Sequence, residues 1–255
     1  MAAFAAGEER WVRQLGNLRN TIRQEVIARQ LAEHVEPGMT VLDVGCGQGT
    51  QAIRLAALGC TVTGVEPSAE LRARCAADAA AAGVEVEVLP ASIEALDDVI
   101  GRRMFDLVCA HGLLMYLPDR AAAIGALAAR VRPGGRLSLT VRNGHALAMR
   151  PGLRRDWAGA LAAFDSDGYV NELGVPARAD RLEDVTADLA AAGVDVEAWY
   201  GVRVLNDAVP SSLPVPEDED LAALLDAEEQ AGRRDPYRWM ASQLHLIGRR
   251  TDPAT

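Results

Sequence analysis

The segment from Asp43 to Gly49 constrains this chain more than any other, because it joins an apolar run, Met39 to Val44, to a helix-like stretch. Its residues are Asp-Val-Gly-Cys-Gly-Gln-Gly, with a glycine at every second position from Gly45. Such glycines let the backbone turn sharply out of a strand, and they bring its N–H groups close to a ligand where a side chain would collide. The segment predicts the first nucleotide-binding turn of an α/β domain.

The charge beside this turn narrows the choice of ligand. A dinucleotide fingerprint would have its third glycine at position 50, which is Thr50, and would place a pyrophosphate near Asp43. Asp43 instead suits a ligand with an ammonium group. A β-branched strand ending in Glu66 follows, at roughly the 20-residue spacing expected of a ribose-binding carboxylate. Pro67 comes next, shortly before the predicted helix that begins at Ala69. An NAD or flavin domain is the alternative that these residues leave open.

The Asp-x-Gly-x-Gly-x-Gly arrangement resembles motif I of class I S-adenosylmethionine (SAM) methyltransferases. The resemblance implies that SAM is the cofactor and S-adenosylhomocysteine the product. It also implies that Ser92 and Ile93, after the third strand, surround the adenine, and that His111, after the fourth, lies near the methyl group. From the residues alone, Ser92 is equally well a helix cap, and His111 a packing residue. The predicted cofactor residues are Asp43, Gly45, Cys46, Gly47, Gly49, Glu66, Pro67, Ser92, Ile93 and His111.

Strand-like and helix-like segments alternate through the first part of the chain, a pattern typical of a parallel sheet with crossover helices. We predict an α/β fold: a Rossmann-like seven-stranded class I methyltransferase sheet with helices on both faces and lid insertions. The predicted strands are Met39 to Cys46, Cys60 to Glu66, Val84 to Leu89, Phe105 to Ala110, Arg136 to Val141, Val194 to Leu205 and Gln243 to Arg249. The predicted helices among them are Gly49 to Leu58, Ala69 to Ala82, Ile93 to Gly101, Arg120 to Val131 and Leu182 to Ala192.

A single domain over residues 1–255 accommodates all of these elements. Its predicted parts are an N-terminal helical lid (1–36), a SAM-binding core (37–142) and two substrate-side insertions (143–181 and 206–241). Ligands of open α/β sheets bind beyond the carboxyl ends of the strands, so the insertions and the N-terminal helix should form the substrate lid. Within the first insertion, Asn143-Gly144-His145 is a turn by composition, and it equally well lines the site.

Composition excludes several classes of protein. The formal charge of −10 argues against broad nucleic-acid binding, but it does not exclude a local basic face. All 26 basic residues are arginines. No apolar run approaches the ~18 residues of a membrane span, and the N-terminus lacks a signal-peptide pattern, so we expect a cytoplasmic protein with no membrane partner. The four cysteines have no zinc spacing, and no metal site is predicted. The oligomeric state is not predicted.

A second resemblance covers nearly the whole chain. Leu18-Arg19, Gly201-Val202-Arg203-Val204 with Asp207, and Asp235-Pro236-Tyr237 are similar to segments of the bacterial tRNA 5-carboxymethoxyuridine methyltransferase family. It implies that the enzyme methylates the carboxylate of a modified wobble uridine, and that Arg19 and Arg203 hold that carboxylate, with His111 as a third candidate catalytic residue.

The family carries a lysine-rich loop where this chain has Tyr169 to Pro176. The acceptor is therefore either a modified tRNA or a small carboxylate. A carboxylate is ionised at neutral pH and needs positioning more than a general base, whereas an alcohol or amine would need His111 or His145 to remove a proton. A small-molecule O- or N-methyltransferase and a SAM-binding protein without catalytic activity are the alternatives.

Overall fold

The structure of this chain is a computed structural model that describes residues 16–171, 173–210 and 212–251. Nine strands are described in those ranges: β1 (Thr40–Val44), β2 (Thr61–Val65), β3 (Val86–Leu89), β4 (Phe105–His111), β5 (Val131–Arg142), β6 (Gly168–Val170), β7 (Pro176–Arg178), β8 (Val194–Val202) and β9 (Gln243–Arg250). The described α-helices are α1 (Leu18–Ala32), α2 (Thr50–Ala57), α3 (Ala69–Ala82), α4 (Leu96–Ile100), α5 (Arg120–Ala128), α6 (Met149–Leu153), α7 (Trp157–Phe164), α8 (Leu182–Ala191) and α9 (Asp218–Arg233).

Seven of the strands form one sheet in the order β3-β2-β1-β4-β5-β9-β8, and β6 and β7 form a separate antiparallel pair. Strands β3, β2, β1, β4 and β5 are parallel neighbours. In this register Asp43 of β1 lies beside Gly64 of β2 and Cys109 of β4. The predicted seven-stranded Rossmann-like sheet is confirmed, with the ends of its first strands at the glycine turn.

Some predicted boundaries are wrong. The fifth strand was predicted to begin at Arg136, after the Pro133-Gly134-Gly135 segment, but β5 already begins at Val131. The pairing of β4 with β5 shifts register there, since Phe105 pairs with Val131 and Leu107 with Arg136. The segment is therefore a bulge inside the strand. The preceding helix accordingly ends at Ala128 rather than at Val131.

The N-terminal helix α1 lies within the predicted lid of residues 1–36. Leu18 is the first residue of α1, and the Asn17 side chain accepts a hydrogen bond from the Asn20 N–H (2.9 Å), as an N-cap does. Residues 1–15 of the predicted lid lie outside the described residues. In the part of the chain that is described, no helix is both long and apolar enough to cross a membrane.

The chain divides into two compact units. The sheet unit comprises Leu31–Thr140, Thr186–Ala198 and Leu246–Thr255. Its core is built by the apolar strands, with Val41, Leu42, Leu107 and Val108 completely or almost completely buried. Burial of such side chains contributes about 1.5–3 kcal/mol each.

The insertion unit comprises Met1–Gln30, Val141–Val185 and Trp199–His245. Leu18 and Ile22 of α1, Val202 of β8 and Leu225 of α9 belong to one buried apolar cluster. Their spacing gives α1 and α9 an apolar face each, which fixes both helices beside the end of β8. The division into a single domain with lid, core and insertions stays a prediction.

Candidate active site

The glycine turn after β1 adopts a conformation that requires glycine. Gly45, Gly47 and Gly49 have φ values of 72°, 58° and 84°, in the left-handed region. A Cβ atom on Gly49 would lie 2.3 Å from the Cys75 sulfur, so that position has no room for a side chain. A Cβ atom on Gly47 would meet nothing within 4 Å. The turn is thus packed at Gly49 and open at Gly47, as ligand approach to the backbone requires.

The side chain of Cys46, a predicted cofactor residue, is buried and faces Gly64 of β2. Its sulfur would be 2.7 Å from a Cβ atom on Gly64, so the strand needs a glycine to accept it. Burial raises the pKa of the Cys46 thiol, and raises that of Cys75 to about 11. Both thiols are therefore neutral packing groups at physiological pH.

Glu66 joins the end of β2 to the turn. Its buried carboxylate accepts hydrogen bonds from the Gly47 N–H (3.0 Å) and from the Ser68 N–H (2.9 Å). The carbonyl of Pro67, the residue between Glu66 and Ser68, accepts a hydrogen bond from the Arg72 guanidinium (2.7 Å). The carboxylate predicted for the ribose is therefore fixed beside the open glycine.

Asp43 is the second carboxylate here and is 3% exposed. Burial, together with the negative charge of Glu66, raises the pKa of Asp43 to about 7. Two neighbouring buried carboxylates repel each other, and a cation bound between them would relieve that repulsion. The local field therefore favours a positively charged ligand; that Asp43 binds an ammonium group stays a prediction.

Ser92 and Ile93 follow β3, where a short 3₁₀ helix spans Ile93–Ala95. The capping role considered for Ser92 is absent, because its side chain makes no cap hydrogen bond to this helix. Instead, a hydrogen bond from Ser92 lowers the pKa of the Glu94 carboxyl. Ile93 is buried. Their place around an adenine stays a prediction.

His111 is the last residue of β4, and its Nε2 atom lies 2.8 Å from the Ser138 hydroxyl. The next residue, Gly112, donates its N–H to the Thr140 hydroxyl (2.9 Å). These two contacts fix the end of β4 against β5. His145, the other candidate base, lies 3.0 Å from Glu183 on the surface.

Asn143, in the predicted turn, is completely buried and donates to the carbonyls of Trp239 and Ala241 (both 2.9 Å). Its amide holds two segments of the insertion unit together. Among the residues that the structure describes, no group of three histidines, cysteines or acids could hold a metal ion.

Four arginines of the insertion unit surround Asp207, and we call these five residues the arginine cluster. Its members, with the nearest distance from each guanidinium to the Asp207 carboxylate, are Arg19 (3.8 Å), Arg142 (3.5 Å), Arg150 (2.6 Å) and Arg203 (3.4 Å). Arg19, Arg142, Arg203 and Asp207 are all buried. The structure therefore brings the predicted pair, Arg19 and Arg203, to one place although they are far apart in sequence.

The hydrogen bonds within the cluster are unequal. Arg150 binds Asp207 with two short bonds, of 2.8 Å to Oδ2 and 2.6 Å to Oδ1. Arg142 and Arg203 stand further from this carboxylate, and both donate to the Ser242 hydroxyl, Arg203 at 2.8 Å. The buried Nε atoms of Arg142 and Arg203 have no hydrogen-bond partner among the described residues. These two guanidiniums thus retain donor capacity that Asp207 does not use.

The electrostatics of the arginine cluster also favour the binding of a further anion. Burial lowers the pKa of Arg203 to about 9; Asp207 raises it, but Arg150, Arg19 and Arg142 lower it further. Burial alone would raise the pKa of Asp207, yet the guanidiniums of Arg203, Arg150 and Arg142 hold it well below its usual range. Concentrated positive charge with a single central carboxylate is an environment that a second anion would stabilise.

Three members of the site were not assigned from the sequence. Arg142 is the last residue of β5, a position equivalent to that of His111 on β4, so a polar residue ending an apolar strand was an available signal. Ser242 precedes β9, and its N–H donates to the Arg203 carbonyl (3.1 Å). Arg150, whose guanidinium binds Asp207, was not assigned to the acceptor site either. Their convergence depends on tertiary structure that the local sequence does not encode.

Known proteins resemble this chain in both sequence and fold. Residues 41–135 match the family described as a methyltransferase domain. The chain is 28% identical over 246 residues to the tRNA 5-carboxymethoxyuridine methyltransferase of Escherichia coli, with 92% of this chain and 89% of that protein covered. It is 32% identical over 148 residues to a ubiquinone biosynthesis O-methyltransferase of Xanthomonas axonopodis pv. citri, covering 55% and 59%.

A solved structure of the magnesium protoporphyrin IX methyltransferase from Synechocystis, with bound S-adenosylhomocysteine, shares the fold. Its TM-score is 0.61 at 16% identity, and the alignment covers 95% of this chain and 93% of that one. The domain match begins in β1 and includes the glycine turn and Glu66. Together with the seven-stranded sheet, these findings show a methyltransferase domain at residues 41–135 and the fold of the class I SAM-dependent methyltransferases.

Proposed function

We propose that this enzyme methylates a carboxylate, and that the acceptor is a tRNA bearing 5-carboxymethoxyuridine. The observation that carries the proposal is the arginine cluster, in which the buried guanidiniums of Arg142 and Arg203 keep donor capacity beside Asp207. Planar guanidinium groups match a carboxylate in both charge and geometry. An anionic acceptor would supply the second negative charge that the cluster lacks.

The residues of the glycine turn fit SAM. Asp43 would bind the ammonium group, Glu66 the ribose hydroxyls, and the open space at Gly47 would admit the ligand to the backbone. Ser92 and Ile93 would line the adenine. When bound, SAM supplies a sulfonium methyl group that is open to nucleophilic attack.

The arginine cluster would orient the acceptor rather than activate it. A carboxylate is ionised at neutral pH, so its oxygen is already a nucleophile and no proton has to leave. Arg19 and Arg203 would hold the carboxylate in place for in-line attack, which is where most of the rate enhancement would arise. His111, fixed by Ser138, would shape the site without acting as a base.

The tRNA acceptor is supported by the extent of the similarity. The tRNA-modifying relative aligns with 92% of this chain, a share that extends beyond the domain match at residues 41–135 and reaches the insertions. The net charge of −10 pulls the other way, because non-specific RNA affinity depends on basic surface. A small carboxylate held by the same arginines is the second candidate.

A comparison of two acceptor preparations, incubated separately with the enzyme, tests the proposal. Purified enzyme and labelled SAM are incubated with tRNA bearing 5-carboxymethoxyuridine and, separately, with the tRNA-depleted small-molecule fraction of the source cells. We expect a methyl ester on the tRNA. At subsaturating RNA, the rate of methyl transfer should fall steeply as the salt concentration increases. Ester formation in the second preparation alone would contradict the tRNA assignment. Binding of SAM without transfer to either would indicate a non-catalytic binding protein.

A further inference from the structure

A buried glutamate of helix α9 holds the backbone directly after Arg203. Glu228 is 0% exposed, and its carboxylate accepts hydrogen bonds from three consecutive backbone N–H groups: Val204 (2.7 Å), Leu205 (3.2 Å) and Asn206 (2.9 Å). The Asn206 side chain adds a fourth bond (3.0 Å). We call this arrangement the Glu228 clasp.

The chemistry of the clasp requires a carboxylate. All four partners are N–H donors, and the two carboxylate oxygens accept every one of them, Oε2 from Val204 and Oε1 from Leu205 and Asn206. A glutamine at this position would present its own N–H₂ group to some of these donors, although its size is the same. The isosteric substitution should therefore disrupt the clasp.

Helix α9 is fixed tightly enough to serve as the frame of the clasp. A Cβ atom on Gly232 would lie only 2.3 Å from the Gly201 carbonyl oxygen, so α9 approaches the end of β8 as closely as glycine allows. Leu225 anchors the preceding turn in the apolar cluster with α1. Glu228 lies between these two anchor points, and its position is thus determined by packing rather than by the loop that it holds.

Arg203 needs such support because its backbone is in an unfavourable conformation. Its φ is 57°, in the left-handed region, which costs a non-glycine residue on the order of 1 kcal/mol or more. In this conformation the Arg203 carbonyl accepts from the Ser242 N–H, and its guanidinium donates to the Ser242 hydroxyl (2.8 Å) and faces Asp207. The strain lies at the residue that the acceptor site most depends on.

We propose that Glu228 is a positioning residue for the acceptor site: by binding residues 204–206 it keeps Arg203 in the left-handed conformation that directs its guanidinium into the arginine cluster. This inference rests on the proposed role of the cluster in binding the acceptor carboxylate. Glu228 itself touches neither SAM nor the acceptor in this account. Its contribution is to the affinity for the acceptor, through Arg203.

The test compares Glu228→Gln with Glu229→Gln, the same isosteric change one residue later. Glu229 binds Arg29 and Arg233 near the surface and takes no part in the clasp. For Glu228→Gln we expect the KM for 5-carboxymethoxyuridine tRNA to increase by about tenfold or more, with the Kd for SAM unchanged. Glu229→Gln should resemble the wild type. Asn206→Ala, which removes a single bond of the clasp, should increase the KM by about threefold, and it serves if Glu228→Gln does not fold.

A double-mutant cycle separates positioning from general destabilisation. If Glu228 acts through Arg203, Glu228→Gln should add nothing to the KM increase of Arg203→Ala; additive effects would overturn the inference. Hydrogen exchange of the amides of residues 204–206 provides a readout without an acceptor, and it should accelerate in Glu228→Gln. Unchanged exchange would refute the clasp. An Arg203→Ala variant with normal acceptor KM would refute the proposed function instead.

Discussion

Truncation of Arg203 should separate the function of the arginine cluster from its stability. In Arg203→Ala, the cluster loses a guanidinium that lies 3.4 Å from Asp207 and whose Nε atom has no partner among the described residues. A charge-assisted contact to the acceptor carboxylate contributes about 1.5–3 kcal/mol. At about 1.4 kcal/mol per factor of ten, the KM for the acceptor should increase by about 10- to 150-fold.

The stability of the same variant should behave differently. Burial and neighbouring arginines lower the pKa of Arg203 from its usual range to about 9, so the folded protein disfavours its charged form. Removing the guanidinium removes this cost, while Arg150 still binds Asp207 with two hydrogen bonds. The free energy of unfolding should therefore stay within about 1 kcal/mol of the wild-type value or increase, as is usual for residues kept for function. The same pKa predicts that acceptor affinity falls as pH increases through about 9.

Steady-state kinetics with varied acceptor measure the acceptor KM. Calorimetry measures the affinity for SAM, and urea denaturation measures the free energy of unfolding. Arg102→Ala is the matched control, since this arginine is exposed and its substitution should change nothing by more than ~0.5 kcal/mol. A loss of several kcal/mol in stability together with an unaltered acceptor KM would contradict a role of Arg203 in acceptor binding. It would mean that Arg203 only serves the fold.

Four further predictions concern other parts of the site. Asp207→Asn leaves buried guanidiniums without their carboxylate and should lower the free energy of unfolding by about 3–5 kcal/mol in urea denaturation; a smaller loss than for Arg203→Ala would contradict this. The affinity for SAM should weaken as pH falls below about 7, because Asp43 becomes protonated; calorimetry should find that Asp43→Asn binds weakly at every pH, and an equal slope in both proteins would exclude Asp43 as the cause. Without ligand, the folded-state pKa of Asp43 lies above the unfolded value near 3.8, so stability should decline as pH rises from about 4 to about 7; a thermal-unfolding midpoint that rises over this range would contradict the raised pKa. Gly47→Val should weaken SAM binding in calorimetry by at least about tenfold, because the new side chain would occupy the space through which the ligand approaches; the left-handed φ of Gly47 should also lower the stability of the variant by on the order of 1–2 kcal/mol, and normal affinity of the folded variant would place the ligand elsewhere.

The sheet was predictable because its signals are local. Apolar β-branched runs, the glycine turn at Gly45 and the acid Glu66 each specify a strand end from a few adjacent residues. The bulge at Gly134 was missed, because glycine and proline indicate a turn whether the chain reverses or a strand merely loses its register. The first insertion was left without elements, and the structure has α6, α7 and the β6–β7 pair there.

The acceptor site shows the opposite balance. Arg19 and Arg203 were found through family resemblance, since a lone arginine has no local signature. Arg142 and Glu228 were not assigned, because their importance arises from contacts 65 and 22 to 24 residues away in sequence. A buried glutamate in an acidic helix looks the same in sequence as its exposed neighbours. Only the packed structure distinguishes the glutamate that binds three backbone N–H groups.

The bond that joins the transferred methyl group to the acceptor distinguishes methylation of a carboxylate from methylation of an alcohol or an amine. After reaction with SAM labelled in its methyl group, the product is isolated and treated with mild alkali, which hydrolyses methyl esters and leaves methyl ethers and methylamines intact. We expect that most of the label is released as volatile methanol, with the acceptor returned to its carboxylate. Label that stays on the acceptor would contradict carboxylate methylation and, with it, the role of the arginine cluster.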